Sequence, residues 1–394
     1  MIQTLHQSPT DPAFVQNPYA FYDRARATGP LFHWHDYDLP MAVSLAAASH
    51  ILRDRRFGRE EPPETRKATA PHLAPFYAVE AHSMLELEPP RHTRLRGLVL
   101  RAFTSRRIAA LAPEIAALTH QLIDALPGDK FDLLPDFAQK LPVIIIARLL
   151  GVPEEMAPDL LKWSNAMVQM YIAGRSRDTE DRAIAATNTF TAFLHGYIDE
   201  RRAKPADDLI THLIAAEEQG ERLSTAELVT TCILLLNAGH EATVHTIGNG
   251  VKTLLETATP PAALGPAAIA ATVEEILRFD PPLHLFTRYC YEPTDVMGHI
   301  FQRGQQVGCL LAAAGRDPAA FANPNSFNPG RPQKPNIAFG GGLHFCVGAP
   351  LARLELAVAL PILFARLPGL KIATTPTWRN VYHFHGLESL VLHR

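Results

Sequence analysis

The segment richest in chemistry runs Phe339-Gly340-Gly341-Gly342-Leu343-His344-Phe345-Cys346-Val347-Gly348-Ala349-Pro350-Leu351-Ala352-Arg353. Three successive glycines allow a tight, closely approached backbone. Pro350 suits the first turn of a helix, so Cys346 sits just before a helix N-terminus. The free N–H groups and dipole there favour a thiolate. A thiolate in a glycine-rich loop is a metal ligand or a nucleophile. The nucleophile needs a histidine and an Asn or Asp as partners, and a lone cysteine is by default a buried core residue. The other cysteines, Cys232, Cys290 and Cys309, lack such surroundings and read as core. The glycine triplet is not a phosphate loop, because no Lys-Ser/Thr follows it.

Three further spacings carry chemistry. Glu275 and Arg278 share one helix face at i,i+3; alone they read as an ordinary surface pair worth a few tenths of a kcal/mol. His92 and Arg96, at i,i+4, can both reach one anion. A long apolar stretch contains Ala238-Gly239-His240-Glu241-Ala242-Thr243. His240 and His245 stand five apart, roughly 140° round a helix. The zinc-protease motif H-E-x-x-H needs four, so that reading is rejected.

Taken together these residues resemble the cytochrome P-450 family. The family's haem-binding loop is F-x-x-G-x-H/R-x-C-x-G, and Phe339, Gly342, His344, Cys346 and Gly348 stand at those places. The resemblance implies haem b as cofactor, with Cys346 as its axial metal ligand, His344 on a propionate and Phe339 shielding the sulfur. A thiolate ligand pushes electron density into iron and favours O–O cleavage. Glu275 and Arg278 match the family's E-x-x-R, and Arg331 in FNPGR its third member, a network that holds the fold. His92-Thr93-Arg94-Leu95-Arg96 matches an H-T-R-L-R helix, and Arg288 falls where the family places another propionate partner. The pattern A-G-x-E/D-T-T/S puts Ala238 and Gly239 beside the iron, where Gly239 lets the helix open to leave a groove for O2. Glu241 is then the expected acid. Ala242 departs from the pattern, since a threonine is usual. Thr243 is next but is turned by about 100°; it holds a water there, or a substrate hydroxyl completes the proton relay.

The implied activity is insertion of one atom of O2 into a small, largely apolar or aromatic molecule, the other atom leaving as water. Ferredoxin and a ferredoxin reductase, as separate proteins, supply two electrons. They dock on the Cys346 face, with Arg101, Arg106, Arg107 and Arg353 as candidates for its positive charge. By position in the family, the pocket draws on Leu235, Asn237, Ala238, Leu283, His284, Leu285, Phe286 and Phe384, with residues 70–88 as a lid. Two rivals are a haem-thiolate sensor without turnover and an enzyme that takes oxygen from peroxide.

Most of the elements that must position these residues read as helix. Apolar residues recur at helical spacing over 107–126 and 181–203, residues 141–151 look buried, and another helix covers about 266–279 before Pro281-Pro282. Ser224 and Glu227 form a capping box. The helix they open runs to about Glu256, long and apolar enough to cross the middle of the protein. Strand signals lie near 31–44, 287–308 and 380–393, and 315–338 is irregular and proline-rich. The expected class is mainly α with a small β portion, one domain over residues 1–394. The 394 residues are 47 % hydrophobic with a net charge of −3, which does not suggest a nucleic-acid or membrane-surface binder. The N-terminus lacks a basic region followed by an apolar one. Arg148 and Arg366 interrupt the longest apolar runs, short of the ~20 residues of a membrane span. A soluble, cytoplasmic protein is expected.

Overall fold

The capping box at Ser224 forms as read: its hydroxyl accepts from the Glu227 N–H, and the Glu227 carboxylate accepts from the Ser224 N–H at 2.9 Å. It opens the 32-residue helix Thr225–Glu256, about 48 Å long at 1.5 Å per residue. A computed structural model describes residues 2–66, 68–172, 174–218, 221–382 and 384–394. Most of the long helix is buried. The helices Lys140–Leu150, Ala157–Val168 and Arg177–Ala203 pack against it. Ala349–Arg366 lies against Ala112–Asp124 and Ile269–Phe279. One apolar cluster joins all of these helices.

The expected helix over 107–126 is two helices, Ser105–Ala110 and Ala112–Asp124, parted at Leu111. Pro113 explains the break, since it has no N–H to give to the preceding turn. The helix expected from 266 starts at Ile269. Among the described residues of the 380–393 strand signal, Val391–His393 is the strand, paired with Lys130–Asp132 and Lys371–Ile372. The main sheet has six strands in the order Thr4–Leu5, Leu31–Trp34, Leu39–Ala42, Gln306–Leu310, Leu285–Cys290, Phe57–Gly58. Gly308 pairs with Met41, and a Cβ there would fall on the Met41 sulfur.

The irregular stretch 315–338 is held by two arginines. Arg278 donates to the carbonyls of Gly315 (2.7 Å), Pro324 (2.9 Å) and Ser326 (3.3 Å). Arg331 donates to those of Ala322, Asn323 (3.1 Å) and Ser326 (2.9 Å). Both pair with Glu275, which is 2 % exposed: Arg278 at 2.7 Å to each oxygen, Arg331 at 3.3 Å. Buried carbonyls of a loop need donors, and these guanidinium groups supply them. No described helix is long and apolar enough to cross a membrane.

Candidate functional site

The loop carrying Cys346 closes on itself. The Cys346 N–H donates to the Phe339 carbonyl (3.1 Å), Gly340 N–H to Ile337 (2.8 Å) and Phe345 N–H to Gly342 (3.2 Å). Gly340 and Gly342 take left-handed backbone, with φ of +73° and +67°. A Cβ on Gly342 would fall on the Leu52 carbonyl oxygen, and one on Gly340 would stand 3.1 Å from the Phe286 ring. The loop is thus pressed between the helix Leu45–Arg53 and the strand Leu285–Cys290. Phe339 is half-buried, with the Arg353 guanidinium 4.6 Å from its ring centroid.

Gly348 and Ala349, where the next helix begins, turn backbone N–H groups to the sulfur. Burial nevertheless pushes the Cys346 thiol up; the two N–H groups and the charges of Arg96 and Arg353 offset this only in part. The N–H groups at the helix N-terminus thus favour the thiolate, as expected from sequence, against the opposing effect of burial. A metal ion on the sulfur would decide the balance, because a coordinating thiol loses its proton outright.

The four residues expected to bind carboxylates gather beside this loop. His92 is 1 % exposed, and neither ring nitrogen has a hydrogen-bond partner. Burial, with His344 and Arg96 adding, pushes His92 down to about 4. Its ring lies 4.4 Å from that of His344. Arg288 is 2 % exposed and donates to the Thr287 carbonyl at 2.8 Å. Burial, reinforced by Arg59, pushes it down to about 10. Arg96 donates to the Phe345 carbonyl at 2.7 Å. His344 Nε2 lies 2.8 Å from the Glu88 carboxylate, which also accepts the Arg59 N–H at 2.6 Å. Nothing in the spacing of the chain marked Glu88 or Arg59. A buried imidazole with no partner, beside a buried guanidinium with only a carbonyl, wants an anion. Haem propionates would answer that need and the Cys346 sulfur would supply a ligand to the iron, so the residues present fit the group.

The long helix runs unbroken past Gly239, so it does not open there as expected. A Cβ on Gly239 would stand 2.6 Å from Ile146 Cδ1; the glycine admits the neighbouring helix. Leu235, Ala238 and Ala242 nevertheless keep accessible surface in a helix otherwise mostly buried. At i, i+3 and i+7 they share one face. Leu283, Phe286 and Phe384 also stay accessible, and Leu283 bridges to Phe384. Three predicted pocket residues turn elsewhere. His284 is fully buried, its Nδ1 2.8 Å from the Tyr22 hydroxyl. Leu285 packs in the cluster of Phe14, Trp34 and Tyr382. Asn237 is buried, with Nδ2 3.8 Å from Met167 Sδ. The 100° step of a helix turns Asn237 away from Ala238, whereas His284 and Leu285 are buried together between the accessible Leu283 and Phe286. In the expected lid, Thr230 donates to the Val79 carbonyl at 3.1 Å and His72 meets Glu180 at 2.8 Å. The segment thus lies on the long helix and on Arg177–Ala203.

Two expectations about protons change. Thr243 gives its hydroxyl to the Gly239 carbonyl at 2.8 Å, so that proton is committed within the helix. Glu241, 7 % exposed, meets His245 Nε2 at 3.1 Å and Arg379 at 3.4 Å. Burial opposes its charge, but the bond from His245 and the charges of His245, His240 and Arg379 outweigh it and hold the carboxyl at about 2. These contacts favour its carboxylate form at neutral pH. On the surface, Arg353 is paired with Glu274 and Arg107 faces Asp207 at 3.8 Å. Arg101 and Arg106 are exposed, as are Leu100 and Phe345.

The family model "Cytochrome P450" matches residues 13–259 and 268–368. The chain belongs to the cytochrome P450 family. Among its relatives are the cytochrome P450 monooxygenase PikC of Streptomyces venezuelae, 36 % identical over 96 % of this chain and 91 % of that protein, and the biotin biosynthesis cytochrome P450 of Bacillus subtilis, 35 % identical over 98 % of each. Among solved structures it resembles P450BioI in complex with an acyl carrier protein ligated to hexadec-9Z-enoic acid. That match has a TM-score of 0.91 and 33 % identity, over 97 % of this chain and 99 % of that one. As a cytochrome P450 the chain is a monooxygenase of a haem-using family, and its mainly helical architecture is that family's fold.

Proposed function

We propose that this P450 is one functional unit over residues 1–394 that oxidises a mid-sized, largely apolar molecule, with haem b held by Cys346 and electrons from a separate ferredoxin and reductase. The observation that carries the reading is the buried His92, whose ring nitrogens have no partner, and the buried Arg288, whose guanidinium meets only a backbone carbonyl, beside a cysteine loop of the family's pattern. Bound haem supplies the activation of O2. The chain's own residues do the rest. Cys346 ligates the iron, and His92, Arg96, Arg288 and His344 hold the propionates. Glu275, Arg278 and Arg331 fix the irregular segment that precedes the cysteine loop. Leu235, Ala238, Leu283, Phe286 and Phe384 form an apolar wall that excludes water. The apolar lining, and the acyl chain carried in the P450BioI complex, support an apolar substrate.

Proton supply needs a different account from the threonine relay. Ala242 offers a methyl group where the family has a hydroxyl. Glu241, held as a carboxylate by His245 and Arg379, takes a proton before it gives one. A hydroxyl on the substrate then completes the path, so well-coupled turnover depends on a polar group near the reacting carbon. The test is spectroscopic and kinetic together. Reduced protein under carbon monoxide should show the red-shifted band of thiolate-bound haem, and Cys346→Ser should lose it. Compounds that displace iron-bound water should shift the haem spin state. If Cys346→Ser keeps the band, the ligand assignment fails. Full coupling with substrates that lack any hydroxyl would refute the proton account.

A further inference from the structure

Away from the cysteine loop, three metal-ligating side chains meet that the proposed reaction does not use. Asp280 follows the helix Ile269–Phe279, His284 precedes the strand Leu285–Cys290, and His385 follows Phe384 in the C-terminal segment. One ligand atom from each lies within 4.8 Å of the other two, and all three residues are buried. His385 Nε2 stands 3.5 Å from Asp280 Oδ1. Tetrahedral bonds of about 2.0–2.1 Å separate ligand atoms by about 3.4 Å. The backbone holds the three together. The His385 N–H donates to the Pro282 carbonyl at 2.8 Å. Asn249 Nδ2 donates to the carbonyls of Asp280 (3.3 Å) and His385 (3.0 Å).

A second observation points to a ligand. His284 is fully buried, and its Nε2 has no partner although Nδ1 meets the Tyr22 hydroxyl. Buried ring nitrogens are seldom left so. The outer contacts are those that fix ligand rings and carboxylates in metal sites. Tyr19 donates to Asp280 Oδ1 at 2.6 Å, and Trp378 stacks on His385 at 3.8 Å.

We propose that Asp280, His284 and His385 bind one divalent metal ion of the zinc class. Two imidazoles and one carboxylate suit such an ion, whereas calcium and magnesium take oxygen ligands. Arg316, stacked 3.4 Å over the Tyr19 ring, and Lys252, over Trp378 at 5.4 Å, put positive charge nearby. With a single carboxylate against them, the site binds its ion reversibly. The ion joins the end of a helix, the entry to the central sheet and the C-terminal segment. It also stiffens the Leu283–Phe384 bridge.

Equilibrium dialysis of the haem-loaded protein against micromolar zinc chloride tests this. The exposed group His6, His35 and Asp36 is a competing site, so His35→Ala serves as a control. With the competing group removed, His35→Ala should bind about one more zinc per chain than the double variants His35→Ala/His284→Gln and His35→Ala/His385→Gln at equal haem content. Equal zinc in these three proteins overturns the proposal. Should the glutamine variants fail to hold haem, the zinc X-ray absorption of His35→Ala decides. Two imidazoles with an oxygen ligand support the site, and sulfur or a single imidazole refutes it.

Discussion

At the scale of single residues, the P450 site is a set of groups that want a guest. His92 and Arg288 were legible from the resemblance, but that they lie buried without an anion was not, because burial depends on the whole fold. Charge-assisted hydrogen bonds contribute about 1.5–3 kcal/mol each. Arg288→Gln and His92→Phe should therefore each weaken haem binding about ten- to a hundred-fold, measured as haem transfer to apomyoglobin. Unchanged transfer rates would remove them from the propionate site. Glu241 allows a pH test. Its carboxyl is held at about 2, against an ordinary value of 4.5. A depressed folded value contributes stability that is fully present above 4.5 and is lost as pH falls toward 2. Glu241→Gln should thus flatten that part of the acid limb of the thermal midpoint. An equally steep limb in the variant would mean that His245 and Arg379 do not hold the charge. Sequence reasoning missed both partners: His245 was weighed only as a zinc ligand, and Arg379 lies 138 positions away from its acid.

At the scale of elements, the sequence was most readable where one local rule decided the outcome. The capping box at Ser224 and the proline-rich tract after 315 came through. Where a tertiary contact decided, the reading failed. Gly239 looked like a place for a helix to open, and it is where Ile146 packs in. His284 looked like a pocket residue because of its position, but it turns toward Tyr22 and His385. The Glu275 network ties elements together more than any cap does. Glu275→Ala would strand two guanidinium groups, and breaking a buried pair costs about 3–5 kcal/mol. Expected outcomes are a matching loss in urea unfolding and poor haem retention; a stable, haem-replete variant would contradict this. Gly342→Ala should also displace the cysteine loop, since its φ of +67° disfavours a side chain and the Leu52 carbonyl fills the space. A Soret band unchanged in position and intensity would argue against that.

At the scale of the molecule, the fold class was legible because the long apolar helix and the sparse strand signals allowed little else. The docking face was read less well. Of four proposed cations, Arg353 is engaged with Glu274 and Arg107 faces Asp207, and pairing is invisible in a linear chain. Arg106 is exposed. Arg106→Glu should slow reduction by an acidic ferredoxin, more at low salt than at high, because exposed charges steer association. Equal slowing at both ionic strengths would point to a structural cause instead.

The unanswered polar groups beside Cys346 reach beyond catalysis. A haem-free chain keeps a buried guanidinium with no counter-ion and a buried imidazole with no hydrogen-bond partner, so its helix Arg91–Ala102 and its cysteine loop should open more readily than in the loaded protein. Opened segments are what proteases cut. Chains made faster than haem arrives should then be degraded and not stored, and limited proteolysis should cleave the haem-free protein first within 85–105.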